Sequence, residues 1–105
     1  MTDVPSPLLV TTTPTGLWVS GELDSSTAQT LAGSLRSSYN EAGDTHLHMG
    51  DVTFIDSSGL QVLIDAHHAA EKRSQRFIIS EPSPPVTRLL TISGLASYLH
   101  IQPSV

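Results

Sequence analysis

One carboxylate and two hydroxyls follow a short apolar run near the middle of the chain. The run Val52–Ile55 is suited to a buried strand, and Asp56, Ser57 and Ser58 come directly after it. A helical pattern then begins at Leu60. The two serines are therefore expected at the N-terminus of a helix, where backbone N–H groups lack intrahelical partners and the helix dipole is positive. This position suits a capping side chain or a phosphate.

The spacing of Ser58 and Gln61 predicts a capping box, in which the glutamine side chain reaches back to the residue that caps the helix. Two interpretations of the serines stay open on spacing alone. In the first, Ser57 and Ser58 only cap the helix, and the high frequency of cap motifs favours this interpretation. In the second, one of the two serines is a modification site.

Five histidines raise the question of a metal site. His46 and His48 lie on one face of a predicted strand because side chains alternate, whereas His67 and His68 lie on different faces of a predicted helix. Zinc needs three or four converging ligands, and nothing in the sequence brings these side chains and His100 together. We therefore expect no metal.

Serine-based hydrolysis is not expected either. A nucleophilic serine needs a positioned base, yet the chain has no Gly-x-Ser-x-Gly elbow and Asp56 is merely adjacent to the serines in sequence. A glycine-rich loop followed by Lys-Ser/Thr, which would hold ATP, is also missing. The sequence predicts a protein that is not an enzyme and needs no cofactor.

Composition narrows the class of protein further. The 105 residues predict one domain, residues 8–105, after a mobile tail at residues 1–7 that contains two prolines. A charged fraction of 14% argues against disorder, and a net charge of −5 argues against direct binding of nucleic acid. Because the sequence contains neither an apolar run long enough to span a membrane nor a recognisable signal peptide, we expect no membrane insertion and a cytoplasmic location.

Periodicity predicts alternating strands and helices. Strands are expected at Leu8–Thr13, Leu17–Ser20, Thr45–Ile55 with an interruption at Gly50-Asp51, Arg76–Ser80 and within Leu95–Ile101, and helices at 25–39, 58–73 and 84–93. This order predicts an α/β fold with a mixed, mostly parallel sheet of four to five strands, helices packed against it and an antiparallel N-terminal hairpin.

Polar residues after two of these strands are expected to meet. The carboxyl ends of parallel strands lie at one edge of a sheet, where binding residues gather. The segments that follow strands two and three are therefore expected to form one exposed, partner-binding edge, made of Asp24, Ser25, Asp56, Ser57, Ser58 and Gly59.

Three segments together resemble a known family. They are Gly21-Glu22-Leu23-Asp24, the run from Val52 through Asp56-Ser57-Ser58-Gly59-Leu60, and Val86–Leu90 with Ser93-Gly94-Leu95. They are similar to the STAS domain and, more narrowly, to the free-standing anti-sigma factor antagonists of bacteria. The resemblance runs from about Leu8 to Ile101, and its most specific part is the Asp-Ser-Ser-Gly-Leu motif.

The resemblance implies a protein–protein switch. Such an antagonist binds an anti-sigma factor that is also an ATP-using serine kinase of the GHKL type, which frees the sigma factor. The kinase phosphorylates the second serine of the motif, Ser58 here, and the complex dissociates until a PP2C-type phosphatase resets it. The protein itself is expected to be a monomer or a weak dimer.

The chain departs from the family pattern at several places. His48 stands where an aspartate is common, Gly50 stands where a serine is common, and residues 102–105 leave little room for the usual closing helix. The alternative function is that of a STAS interaction or scaffold module in a transport or signalling complex, without phosphorylation.

Overall fold

The computed structural model of the protein describes residues 8–38 and 43–103. The expectations for the tail at residues 1–7 and for the helix end at Tyr39 lie outside the described residues. The elements in chain order are β1 (Leu8–Thr13), β2 (Gly16–Leu23), α1 (Ala28–Ser37), β3 (Thr45–Ile55), α2 (Ser57–Lys72), β4 (Phe77–Ser80), α3 (Pro84–Ile92) and β5 (His100–Gln102).

The five strands form one sheet in the order β1-β2-β3-β4-β5. β1 pairs antiparallel with β2, and every other neighbouring pair is parallel. The predicted fold class, a mostly parallel sheet with an antiparallel N-terminal hairpin, is therefore confirmed. Parallel order follows from the helices between strands, because each crossover returns the chain to the same end of the sheet.

The third strand is longer and more continuous than its sequence suggests. The Gly50-Asp51 step does not interrupt β3 but produces an irregularity in its register with β2, between Trp18 and Ser20. Ser83, which follows β4 and precedes α3, makes two hydrogen bonds to β3. Its N–H donates to the Met49 carbonyl at 3.1 Å and its hydroxyl to the Val52 carbonyl at 2.6 Å. These two bonds attach the start of α3 to the bulge.

The helices bury apolar faces in one core with the sheet. On α1, Leu31 and Leu35 are buried as their spacing predicts. On α2 the spacing predicts a buried stripe of Leu60, Leu63, Ile64 and His67, with Ala66 and Ala70 beside it. Leu63, His67, Ala66 and Ala70 are buried, whereas Leu60 and Ile64 are only half-buried and Val62 is buried in addition. The face is rotated because α2 packs against α1 as well as against the sheet.

Two helices end with the same hydrogen-bond pattern, and only one of them uses glycine. A glycine directly after a helix favours a left-handed stop, and the sequence places Gly94 there, after α3. The structure confirms this: Gly94 has φ +79°, its N–H donates to the Thr91 carbonyl, and the Leu95 N–H donates to the Leu90 carbonyl. After α2 the corresponding residue is Ser74, with φ +59°. A side chain at this backbone conformation is strained, so the α2 terminus carries an avoidable cost.

Ser74→Gly is therefore expected to raise the free energy of unfolding by about 0.5–1 kcal/mol, because glycine adopts positive φ without the Cβ clash. Urea unfolding followed by circular dichroism measures the change. The control is Ser37→Gly in the last turn of α1, which is expected to lower stability by about 0.5 kcal/mol through helix propensity. Equal destabilisation by both variants would contradict the argument.

Candidate functional site

The ends of β2 and β3 bring the two polar segments together. Leu23 and Ile55 are partners across the parallel pair, and the Asp56 N–H donates to the Leu23 carbonyl at 3.2 Å. Asp24 and Asp56, the next residues on each strand, therefore leave the sheet side by side. The predicted proximity of these two segments is confirmed.

Asp56, and neither serine, caps α2. Its backbone is extended, with φ −124° and ψ −169°, and one carboxylate oxygen accepts from the N–H of Ser58 at 2.9 Å and of Gly59 at 3.3 Å. The predicted capping box at Ser58 is wrong, because α2 begins one residue earlier, at Ser57, and Gln61 donates to Asp65 instead. The serines occupy the first two helical positions, with their hydroxyls unused for capping.

Exposure differs among the residues of the motif. Ser57 is exposed, Ser58 is half-buried and Gly59 is buried. A Cβ at Gly59 would lie 2.7 Å from Leu23 Cγ and 3.0 Å from Ile55 Cγ1. The expectation that Gly59 lies on an exposed edge is therefore wrong. Its role is to let the first turn of α2 sit directly on the ends of β2 and β3.

Asp24 organises a turn before α1. One of its carboxylate oxygens accepts from the Ser26 N–H at 2.9 Å, the Ser26 hydroxyl at 2.7 Å and the Thr27 N–H at 3.2 Å. Residues 25–27 form this turn, so α1 begins at Ala28 and the prediction of residue 25 is wrong. These donors, the Ser26 hydroxyl first, hold the pKa of Asp24 below its ordinary value.

Ser26 and Thr27 also belong to the site, although the predicted partner-binding edge does not include them. Buried Thr27 donates its hydroxyl to the Glu22 carbonyl at 2.8 Å and accepts from the Asp24 N–H at 2.9 Å. The signal for this turn was present in the spacing, because aspartate followed by hydroxyl residues two and three positions later favours a side-chain-bonded turn. The result is that Ser25 projects, exposed, beside the Ser58 segment.

A groove of about 490 Å³ begins between these segments and runs along α1 and α2. Ser25 and Ser58 line it where the two helices start. Further along, small side chains on both helices keep the groove open, and Arg36 and Asp65 are its charged residues; the small residues are Ala28, Ala32, Ala66 and Ala69. Both segments predicted to bind a partner thus open into one concave surface.

The histidines lie away from the two serines. His46 contacts the Ser80 hydroxyl at 3.1 Å, His68 contacts Tyr98 at 2.9 Å, and His67 lies 3.4 Å from Glu71. None of the hydrogen bonds among residues 8–38 and 43–103 joins a histidine to Ser57 or Ser58. Within those same ranges, no three His, Cys, Asp or Glu side chains converge as a metal site would require.

Comparison with known families identifies the architecture. The STAS domain family matches residues 9–105, and the chain belongs to this family. Relatives include the anti-sigma F factor antagonist of Paenibacillus polymyxa, which is 29% identical over 85 residues, 79% of this chain and 73% of that protein. Sulfate transporter 1.3 of Arabidopsis thaliana is 34% identical over 53 residues, 50% of this chain but only 8% of the transporter.

Solved structures share the fold. An anti-sigma factor antagonist from Thermotoga maritima superposes with a TM-score of 0.75 and 19% identity, covering 93% of this chain and 87% of its own. The anti-sigma factor antagonist SpoIIAA in its unphosphorylated form gives a TM-score of 0.66 and 18% identity, with 92% and 89% covered. Among the described helices of the present protein, none has the length and apolar character that crossing a membrane would take.

Asp56→Ala is expected to lower the free energy of unfolding by about 1 kcal/mol, because two N–H groups at the start of α2 lose their acceptor. Asp56→Asn is expected to retain most of the stability, since asparagine caps helices nearly as well. Urea unfolding tests the pair, with Asp65→Ala as an exposed control on the same helix. Equal losses for Asp56→Asn and Asp56→Ala would show that capping is not what Asp56 contributes.

The Asp24 carboxyl is expected to titrate below its ordinary pKa of 3.8. Ser26→Ala should raise that pKa, whereas Ser25→Ala, which removes no bond to the carboxylate, should leave it in place. Carbon-detected NMR of the side-chain carboxyl reports the titration. Because the folded pKa is depressed, this group stabilises the fold above its unfolded pKa and loses that contribution as pH falls through the folded pKa. Identical shifts in both variants would exclude the Ser26 bond as the cause.

Proposed function

We propose that the protein is a cytoplasmic anti-sigma factor antagonist. In this proposal it binds an anti-sigma factor that is also an ATP-using serine kinase of the GHKL type, and thereby frees the sigma factor. Phosphorylation of Ser58 ends the complex, and a PP2C-type phosphatase restores the unmodified form. The observation that carries the proposal is the position of Ser58, half-buried in the first turn of α2 at the mouth of the groove beside Ser25.

The relatives support this proposal. Three proteins that match the chain over most of its length are described as anti-sigma factor antagonists, and one of them, SpoIIAA, is described in its unphosphorylated form. The partner surface proposed here consists of Asp24, Ser25, Asp56, Ser57 and Ser58, together with the adjoining groove. Gly59 supports this surface from below, by the close packing that places the serines at the strand ends.

Local electrostatics favour Ser58 as a switch. A phosphoserine adds about −1.5 to −2 charges near pH 7. Asp56 already accepts from the N–H groups of Ser58 and Gly59, so the new charge would lie beside a carboxylate that holds these two backbone donors. Asp24 lies alongside. The charge is therefore felt at the surface, where a partner fits an uncharged hydroxyl.

The expected size of this effect is sufficient to release a partner. Like charges brought together at an interface cost several kcal/mol. A loss of about 4 kcal/mol weakens binding roughly a thousandfold. The fold does not have to change, because the helix N-terminus tolerates negative charge through its dipole.

A second candidate function is a STAS interaction module that acts without phosphorylation. The similarity to a segment of a sulfate transporter favours it, because that match lies within a much larger transport protein. In this case the same edge and groove would bind a partner constitutively, and modification of Ser58 would have no part in the function.

Treatment with a GHKL-type anti-sigma kinase and ATP is expected to add one phosphate to the wild-type chain and to Ser57→Ala, but none to Ser58→Ala. Intact mass spectrometry measures this. Ser58→Ala should remain bound to the kinase, because it cannot acquire the charge, and Ser58→Asp should stay folded while binding more weakly.

The phosphorylation measurement and the binding measurement test different parts of the proposal. A phosphate on Ser58→Ala would show that the modification site is wrong. Unchanged affinity of the phosphorylated wild type in isothermal titration calorimetry would show that the release mechanism is wrong although the site is right. A wild type that binds its partner but gains no phosphate from the kinase and ATP would favour the interaction module.

A further inference from the structure

The two edges of the sheet differ in how they are protected from further pairing. β5 has only three residues and is followed by Pro103, which cannot donate to a ladder. β1 has six residues, Leu8–Thr13, and its register with β2 is unbroken by any bulge. Its sequence, Leu-Leu-Val-Thr-Thr-Thr, is rich in residues that favour strands.

No charge guards the β1 edge. The chain carries a net charge of −5, yet no Asp, Glu, Lys or Arg occurs from Leu8 to Gly21. This range covers the β1–β2 hairpin except for Glu22 and Leu23 at the end of β2. Natural sheets commonly protect an edge strand with charges, proline, a bulge or great shortness. β1 itself shows none of these devices, so its sequence suits pairing with another strand.

Apolar side chains extend this edge onto the adjoining face of the sheet. Leu9 is 63% exposed and pairs with Ser20, two residues from Trp18 on the same face. Trp18 is 42% exposed even though its ring stacks on His48 at 5.6 Å and its indole N–H donates to Asp51. Trp18 is thus only partly covered, and it leaves an apolar surface next to β1.

From these features we infer that β1 pairs antiparallel with β1 of a second copy, so that the protein is a two-fold dimer with a continuous sheet. A second copy supplies the same uncharged, strand-forming edge and meets no self-repulsion there. This inference is independent of the proposed function.

The symmetry restricts the register of the dimer. In an antiparallel pair, directly opposite side chains share a face, and a two-fold axis perpendicular to the sheet requires one residue to face its own copy. For a strand spanning Leu8–Thr13, that residue is Val10 or Thr11. The axis also turns the two Ser58 segments toward opposite ends of the dimer, and both stay open because β1 lies along the side of the sheet.

Sedimentation velocity over a range of concentrations is expected to give twice the mass of one chain for the wild type. Leu9→Lys and Thr11→Lys should shift the protein to the mass of one chain, because symmetry places two new like charges at the edge. Both positions are exposed, so circular dichroism should show an unchanged fold. The matched control is Thr53→Lys, which adds the same charge at an exposed position of β3 and should remain dimeric.

Single-cysteine variants test the register, because the chain has no cysteine of its own. One of Val10→Cys and Thr11→Cys should form a disulfide-linked dimer under mild oxidation, since residues facing each other across antiparallel strands have Cβ atoms close enough to bridge. Thr53→Cys should not.

Three results would overturn the inference. They are a wild type with the mass of one chain at every concentration, a dimer that survives Leu9→Lys and Thr11→Lys as well as it survives Thr53→Lys, and cross-linking at Val10 and Thr11 no stronger than at Thr53. The first result is also the one expected if the β1 edge pairs only with a strand of another protein.

Discussion

The parallel pairing of β2 with β3 is the interaction on which the rest of the structure depends. Its last paired residues, Leu23 and Ile55, are also the residues against which Gly59 packs. The pairing fixes where both strands stop, and the close approach fixes where α2 starts. Since Asp24 and Asp56 are the next residues along each strand, one packing contact positions the two carboxylates and Ser58 together.

This arrangement gives Asp56 a double role. As an N-cap it satisfies two backbone donors, which stabilises α2 without help from either serine. The Ser58 hydroxyl is thereby left available for chemistry in the proposed function. The same carboxylate already holds the N–H groups of Ser58 and Gly59, so an anion at the helix N-terminus would have to compete with it. A charge added at Ser58 therefore acts outward, on whatever surface lies against it.

The fold could be predicted from sequence because alternation, turn residues and apolar runs all indicated the same elements. Register was harder, since Gly50-Asp51 reads locally as a break, while pairing with β2 and the bonds from Ser83 carry β3 through it. The identity of the cap was missed because aspartate and serine both cap helices well, and only the extended backbone at Asp56 decides between them. The burial of Gly59 depends on the neighbouring strand end, which no local pattern contains.

The alanines that line the groove have an evolutionary consequence. Ala28 and Ala66 are buried and belong to the core, whereas Ala32 and Ala69 are only half-buried. Substitutions at Ala32 and Ala69 therefore change the shape of the groove with the least repacking. After a gene duplication, a few enlarged side chains at these positions could give the two copies different partners while leaving their folding intact. Signalling pairs that share one cell could in this way become insulated from one another by changes along a single cleft.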